Sequence, residues 1–178
     1  NCLGDRNIID LCVGKGGDIN HWMDTKPNII VGLDINKDNL SNSNNGVCNR
    51  ILSKYSENPE TNAYLLNSLM IWADTSKNMS NSEAGKDDLN KYYLDVIYGN
   101  IPKESITNGK MRQLYNICNV EENMGFDLVS CQFAIHYFFG NKIHLETFLQ
   151  NVTSVLKPRG RFVGTCFNGS YVFEQLKY

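Results

Sequence analysis

"IIDLCVGKGGD", residues 8–18, decides the fold: an apolar run breaks into Gly14, Lys15, Gly16 and Gly17 and ends on an acid. Residues 8–13 read as a buried strand, and the glycines as a turn whose bare backbone can come close to a ligand. Residues 18–23 then read as the start of a helix. A dinucleotide-binding fingerprint requires G-x-G-x-x-G; Gly14 and Gly16 supply the first two glycines, but Ile19 stands where the third belongs. The turn therefore argues for a ligand at the end of the first strand without arguing for a pyrophosphate.

Working outward, the same alternation repeats. "NIIVGLDI", residues 28–35, is a second buried strand ending in an acid, and after the polar "SNSNNG" loop the stretch 47–55 has helical spacing. A third strand falls near the end of 64–73 and stops at Asp74, a fourth covers 126–134, and "GRFVGTCF", residues 160–167, is a fifth. Between the last two, Ile143, Leu145, Phe148, Leu149, Val152, Val155 and Leu156 recur at helical spacing over 142–156, with Lys157, Pro158 and Gly160 to stop the helix. Apolar strands alternating with helices predict an α/β fold, a mostly parallel sheet with helices on both faces, whose ligands sit at the carboxyl ends of the strands. A polar insertion at about 75–125 departs from the pattern. It is expected to hold short helices around 89–97 and 111–118, with 77–88 mobile.

Composition bounds the rest. With 178 residues, 42% of them hydrophobic, the chain suffices for a single domain over 1–178. A net charge of −2 gives no overall basic footprint for nucleic acid, so any such partner must be read locally. No run approaches the roughly 18 apolar residues of a membrane span, and no signal peptide precedes the first strand; no membrane partner is expected. The six cysteines, Cys2, Cys12, Cys48, Cys118, Cys131 and Cys166, lie at no redox or zinc spacing, which fits an intracellular, reducing compartment and predicts no metal site. Asn-x-Ser/Thr triplets at Asn39, Asn78, Asn151 and Asn168 are expected by chance in so asparagine-rich a chain.

Three features at successive strand ends carry the chemistry. Asp34, 20 residues after Gly14, can accept hydrogen bonds from both hydroxyls of a ribose, and Asp74 can accept from the amino group of an adenine. With a glycine turn beside an amino-acid tail, they describe S-adenosylmethionine, with S-adenosylhomocysteine as product, better than NAD. Each has a plainer alternative: the glycines can make a tight turn, Asp34 can cap a helix, and Asp74 can open a turn.

The stretches "DLCVGKGGDINHW", "VGLDI", "WAD", "FDLVSCQFAIHYFF" and "NVTSVLKPRGRFVGT" together resemble the messenger RNA cap guanine-N7 methyltransferases, over most of the chain outside the polar insertion. Lys15 in "GKGGD" and the spacing of Gln132, His136 and Tyr137 are the most specific points, and the asparagine-rich style is similar to a capping enzyme of a large DNA virus. The resemblance implies a Rossmann-like class I S-adenosylmethionine-dependent methyltransferase fold and methyl transfer to N7 of the guanine in GpppRNA. It implies Asp10, Gly14, Gly16, Asp34, Ile35, Asp74 and Gln132 around the cofactor. On the cap side it implies Tyr137 against the guanine, with Lys15, His136 and Arg50 near the phosphates. His21, Trp22 and His144 are read as structural.

No acid/base pair is expected, because guanine N7 is a lone pair with no proton to remove; proximity and orientation are the chemistry required. Against the family's pattern, a basic segment before the first strand and a lobe after the fifth are missing, so a core truncated at both ends and belonging to a longer chain is expected. Guanylyltransferase or triphosphatase domains would share that chain, acting on capped RNA in host cytoplasm or virion if viral and in the nucleus otherwise. Two alternatives stay open, the same cofactor with another acceptor and a catalytically silent stimulatory subunit.

Overall fold

Five strands form one parallel sheet in the computed structural model, which describes residues 6–120 and 125–177. They are β1 Asn7–Asp10, β2 Ile29–Asp34, β3 Ser68–Trp72, β4 Phe126–Gln132 and β5 Leu156–Thr165, in the spatial order β3-β2-β1-β4-β5. The helices are α1 Ile19–Thr25, α2 Lys37–Ser41, α3 Val47–Glu57, α4 Pro59–Asn62, α5 Asp88–Tyr98, α6 Gly109–Cys118, α7 Lys142–Val155 and α8 Gly169–Gln175. Cys2 and the expected insertion's residues 121–124 lie outside the described residues.

Alternation along the strands sorts the core into two layers. Ile30 and Val13 join Ile19, Trp22, Leu40, Val47, Ile51 and Leu65 on the side of α1, α2 and α3. Ile9, Val31, Leu33, Ile71, Val129 and Cys131 face the other side, against Leu94, Ile97, Leu114, Phe148 and Val152 of α5, α6 and α7. Both faces are thus covered, as a parallel sheet of apolar strands requires. The chain order reverses between β1 and β4, opening a crevice at the carboxyl ends of these strands.

The asparagine content has a local explanation. Asn36, Asn58, Asn108, Asn141 and Asn168 are the N-caps of α2, α4, α6, α7 and α8, each with its side-chain oxygen accepting from a first-turn backbone N–H. Element limits differ most from the periodic reading in the first and fifth strands, and the fourth ends at Gln132. The first strand ends at Asp10: Leu11 still donates to Ser130 O (2.9 Å) in register with β4, but Cys12 N–H turns to Asp10 Oδ1 (3.0 Å) and Val13 takes Leu33 O (2.8 Å) one residue out of register with β2. The fifth begins at Leu156, before Pro158, because β5 lies at the border of the sheet, where a missing N–H is tolerated.

The expected mobile stretch 77–88 is instead folded down as a strap. Met79 and Ala84 are fully buried, Asp74 N–H donates to Ala84 O at 2.8 Å, and Ala73 pairs antiparallel with Gly85. Asn151 of α7, 2% exposed, clamps the strap from beneath: Met79 N–H donates to its Oδ1 (3.0 Å), and its Nδ2 donates to Thr75 O (3.0 Å) and Lys77 O (2.8 Å). Polar composition here signals internal hydrogen bonding, which a reading by hydrophobicity cannot distinguish from solvation. Asn151→Ala takes the partner from three backbone groups, two of them buried, and is expected to lower unfolding free energy by about 2 kcal/mol, read as a shifted midpoint in urea. An unshifted midpoint would show that the clamp contributes nothing to stability.

Candidate functional site

The reversal point of the sheet opens a cavity of about 670 Å3 whose wall includes Gly14, Asp34, Ile35, Asp74, Gln132 and Tyr137. Its size falls within the range of small-molecule and cofactor sites. The turn after β1 forms one side. Gly14 has φ +54°, and the space where a side chain would stand holds no atom within 4 Å, so the backbone faces the cavity bare. Gly16, at φ +72°, is needed for another reason: a Cβ there would meet Val47 Cγ2 at 2.7 Å and Ile19 Cδ1 at 2.9 Å, where α1 and α3 pack together.

Asp34 ties the turn to the end of β2. Its Oδ2 accepts from Gly14 N–H at 2.8 Å, while Oδ1 accepts from Asn36 N–H at 2.8 Å and Asn39 Nδ2 at 3.1 Å. A carboxylate offers about four acceptor positions, so one direction on Oδ2 is open, and a second opens if Asn39 yields. At the end of β3, Ser76 donates to Asp74 Oδ1 from its backbone N–H (3.2 Å) and its hydroxyl (2.6 Å), and Lys86 Nζ lies 3.2 Å from Oδ2. Burial raises the Asp74 carboxyl, but the Ser76 hydrogen bonds and the Lys86 ammonium outweigh it and hold the group below the usual carboxylate range. Gln132, closing β4, is immobilised: its amide donates to Ser130 Oγ (3.1 Å) and Val163 O (3.4 Å), and its oxygen accepts from the Thr165 hydroxyl (3.0 Å).

After Gln132 the chain turns sharply, with Phe133 at φ +54°, into a short 3-10 turn that carries His136 and Tyr137. Their rings stand 4.2 Å apart, and Tyr137 is 74% exposed at the cavity mouth. A second pair flanks the glycine turn. Lys15 Nζ donates to Asn45 Oδ1 at 2.8 Å and lies 3.9 Å from Asp38, and Arg50 Nη1 donates to Lys15 O at 2.8 Å.

Of the residues expected to form a site, Asp10, Gly16, Lys15, Arg50 and His136 do not line the cavity. Asp10 is 1% exposed under the turn, accepting from Cys12 N–H at 3.0 Å; burial pushes its carboxyl up to about 7, assisted by the nearby charges of Asp18 and Asp34. His144, read from sequence as structural, does line it, as do Cys12, Asn36, Asn39, Thr75, Ser76, Ala134 and Phe138. Most of these stand within a few positions of an expected site residue, a signal that polar neighbours of the strand-end acids could have supplied. Hydrogen bonding with Cys131 and burial push the Cys12 thiol far up, so it is no nucleophile. Among the described residues, no group of acids, histidines and cysteines could hold a metal ion, and no helix is long and apolar enough to cross a membrane.

Comparison with known proteins gives a consistent answer. The family described as mRNA (guanine-N(7))-methyltransferase domain matches residues 3–178. A probable mRNA-capping enzyme of Acanthamoeba polyphaga mimivirus is 24% identical over 99% of this chain and 13% of its own length. The mRNA cap guanine-N(7) methyltransferase of Meyerozyma guilliermondii is 27% identical over 95% of this chain and 25% of its own. The chain therefore spans no more than a quarter of the length of these two relatives. A solved structure of a Pyrococcus horikoshii OT3 protein superposes with a TM-score of 0.51 over 97% of this chain and 54% of that one, at 19% identity, and shares the fold.

Proposed function

The chain belongs to the mRNA (guanine-N(7))-methyltransferase family, and from that premise we propose that it binds S-adenosylmethionine in the strand-end cavity and directs its methyl group to N7 of a cap guanine. The observation that carries this reading is the convergence of Gly14, Asp34, Asp74 and Tyr137 on one cavity. The donor set fits the cofactor. Asp34 retains an acceptor direction for a ribose hydroxyl, Asp74 retains one for an adenine amino group, and the bare Gly14 leaves room for the methionine end. Bound S-adenosylmethionine supplies an electrophilic methyl on a positive sulfonium.

What remains for this chain's residues is binding, alignment and exclusion of water. Guanine N7 presents its lone pair without a proton to lose, so no general base is called for, and effective concentration and orientation supply the rate. Tyr137 offers the face on which the base stacks, with His136 packed behind it at 4.2 Å. Lys15 and Arg50 lie beside the glycine turn as the cations for the phosphate bridge. The chain is a single methyltransferase core domain within a longer polypeptide, its substrate capped RNA, and the small share of the mimivirus relative that it spans supports further capping domains in the same chain.

Tyr137→Ala tests the reading. Deleting a stacking surface worth roughly 2 kcal/mol should lower methyl transfer to GpppG about thirty-fold at subsaturating cap in the full-length protein, while S-adenosylhomocysteine affinity stays unchanged. Wild-type transfer by this variant would mean that the acceptor is a different molecule.

A further inference from the structure

We infer that Lys86 is a positioning residue for Asp74: it reaches the carboxylate from the strap, outside the cofactor cavity, and aims its one open acceptor position at the adenine amino group. The inference rests on the S-adenosylmethionine reading above. Asp74 lines the cofactor cavity and Lys86 does not; Lys86 lines a separate polar cavity of about 790 Å3, so the ion pair forms part of the wall between the two. A ligand in the first cavity meets Asp74 and feels Lys86 only through it.

The geometry makes that indirect role specific. Both lone-pair directions of Asp74 Oδ1 are taken by Ser76, its near neighbour in the same turn. Among the described residues, Oδ2 accepts only from Lys86, 12 residues further on, at 3.2 Å, so the ammonium sets which way the remaining direction points. The pair is sheltered, with Lys86 28% and Asp74 16% exposed at the side chain. Lys86 is itself held in register. Its N–H donates to Trp72 O at 3.1 Å, and Gly85 before it pairs with Ala73. A Cβ at Gly85 would lie 2.7 Å from Lys91 N, so the approach of strap to α5 admits glycine alone.

The carboxylate accepts most strongly when ionised, and protonation puts a donor on one oxygen that can face the amino group. The charged or titratable groups lining the two cavities beside Asp74 are Lys77, Glu83 and Lys86 from the strap, Lys91 from α5, His144 from α7, and Cys12, Asp34 and Tyr137 around the cofactor cavity. Among the described residues, Lys86 is the one whose charged group pairs with the carboxylate. The lowered Asp74 carboxyl reflects that contact together with the Ser76 hydrogen bonds.

The experiment is calorimetric titration of the full-length protein with S-adenosylhomocysteine and with S-inosylhomocysteine, whose hypoxanthine has no amino group, from pH 5 to pH 8. Wild type is expected to bind the adenosyl ligand and prefer it over the inosyl one. Lys86→Met should bind the adenosyl ligand about ten-fold more weakly at pH 7 and more weakly still toward pH 5, with a reduced preference for adenine. Lys86→Arg should restore affinity, preference and pH profile. If Lys86→Met does not fold, Lys86→Gln carries the same test. His144 is the same in every variant, so the difference from wild type isolates the Lys86–Asp74 pair. An unchanged profile and preference, or a loss equal at every pH and for both ligands, overturns the inference and leaves the cofactor reading intact. Failure of wild type to bind S-adenosylhomocysteine overturns the cofactor reading itself.

Discussion

Asp10→Asn is expected to stabilise the ligand-free fold by about 4 kcal/mol at pH 8 and to abolish most of its pH dependence between pH 4 and pH 7. The Asp10 carboxyl lies 1% exposed beneath the glycine turn, and burial pushes it from 3.8 up to about 7. Across that interval the folded chain holds a proton that the unfolded chain has already released, so stability falls as pH rises from about 4 and levels off above about 7. At about 1.36 kcal/mol per pH unit, the interval from 3.8 to about 7 amounts to about 4 kcal/mol. Asparagine stays neutral throughout and keeps an oxygen for the Cys12 N–H, now bonded at 3.0 Å. Urea unfolding at several pH values gives the comparison; parallel curves for the two proteins would show that Asp10 ionises freely in the fold.

Asp34→Ala should reduce S-adenosylhomocysteine affinity more than a hundred-fold, about 3 kcal/mol, because two losses add. One is the charge-assisted bond to the ribose. The other is internal: the Gly14 and Asn36 N–H groups and the Asn39 amide lose their common acceptor, and the turn that faces the ligand is released from β2. Asp34→Asn separates them, since its oxygen can still accept from Gly14 while its charge is gone, and it should bind with intermediate affinity. Equal affinity for all three proteins, measured by calorimetry at pH 7 on folded samples, would remove Asp34 from the site.

Much of this arrangement was legible because strand-end chemistry is local in sequence. A buried strand announces its own end, and an acid placed there, as at Asp34 and Asp74, faces the crevice by the topology of a parallel sheet. The missed parts depend on distant partners. Nothing near Met79 says that Asn151, 72 residues on, will hold its backbone, so the strap read as solvated loop. Asp10 lies two residues before Cys12 of the cavity wall, yet it stays beneath the turn, because Cys12 N–H leaves the ladder and folds back onto its carboxylate. Lys15 and Arg50 illustrate a third case: the resemblance put both near the phosphates, but the bond from Arg50 goes to the Lys15 carbonyl, a contact that no side-chain pattern encodes.

The strap also matters for colloidal behaviour. β3 is a border strand, and the end of such a strand, with main-chain donors and acceptors facing outward, is a template onto which another molecule can add its own strand. Here the Trp72 N–H is taken by Asn90 at 2.8 Å, its carbonyl by Lys86 at 3.1 Å, and Ala73 by Gly85, in a single antiparallel bridge that cannot propagate. Warming that loosens the strap before the sheet melts would uncover this border on an otherwise native molecule. Turbidity should then rise below the temperature of global unfolding, and earlier still in Asn151→Ala, whose strap has lost its clamp.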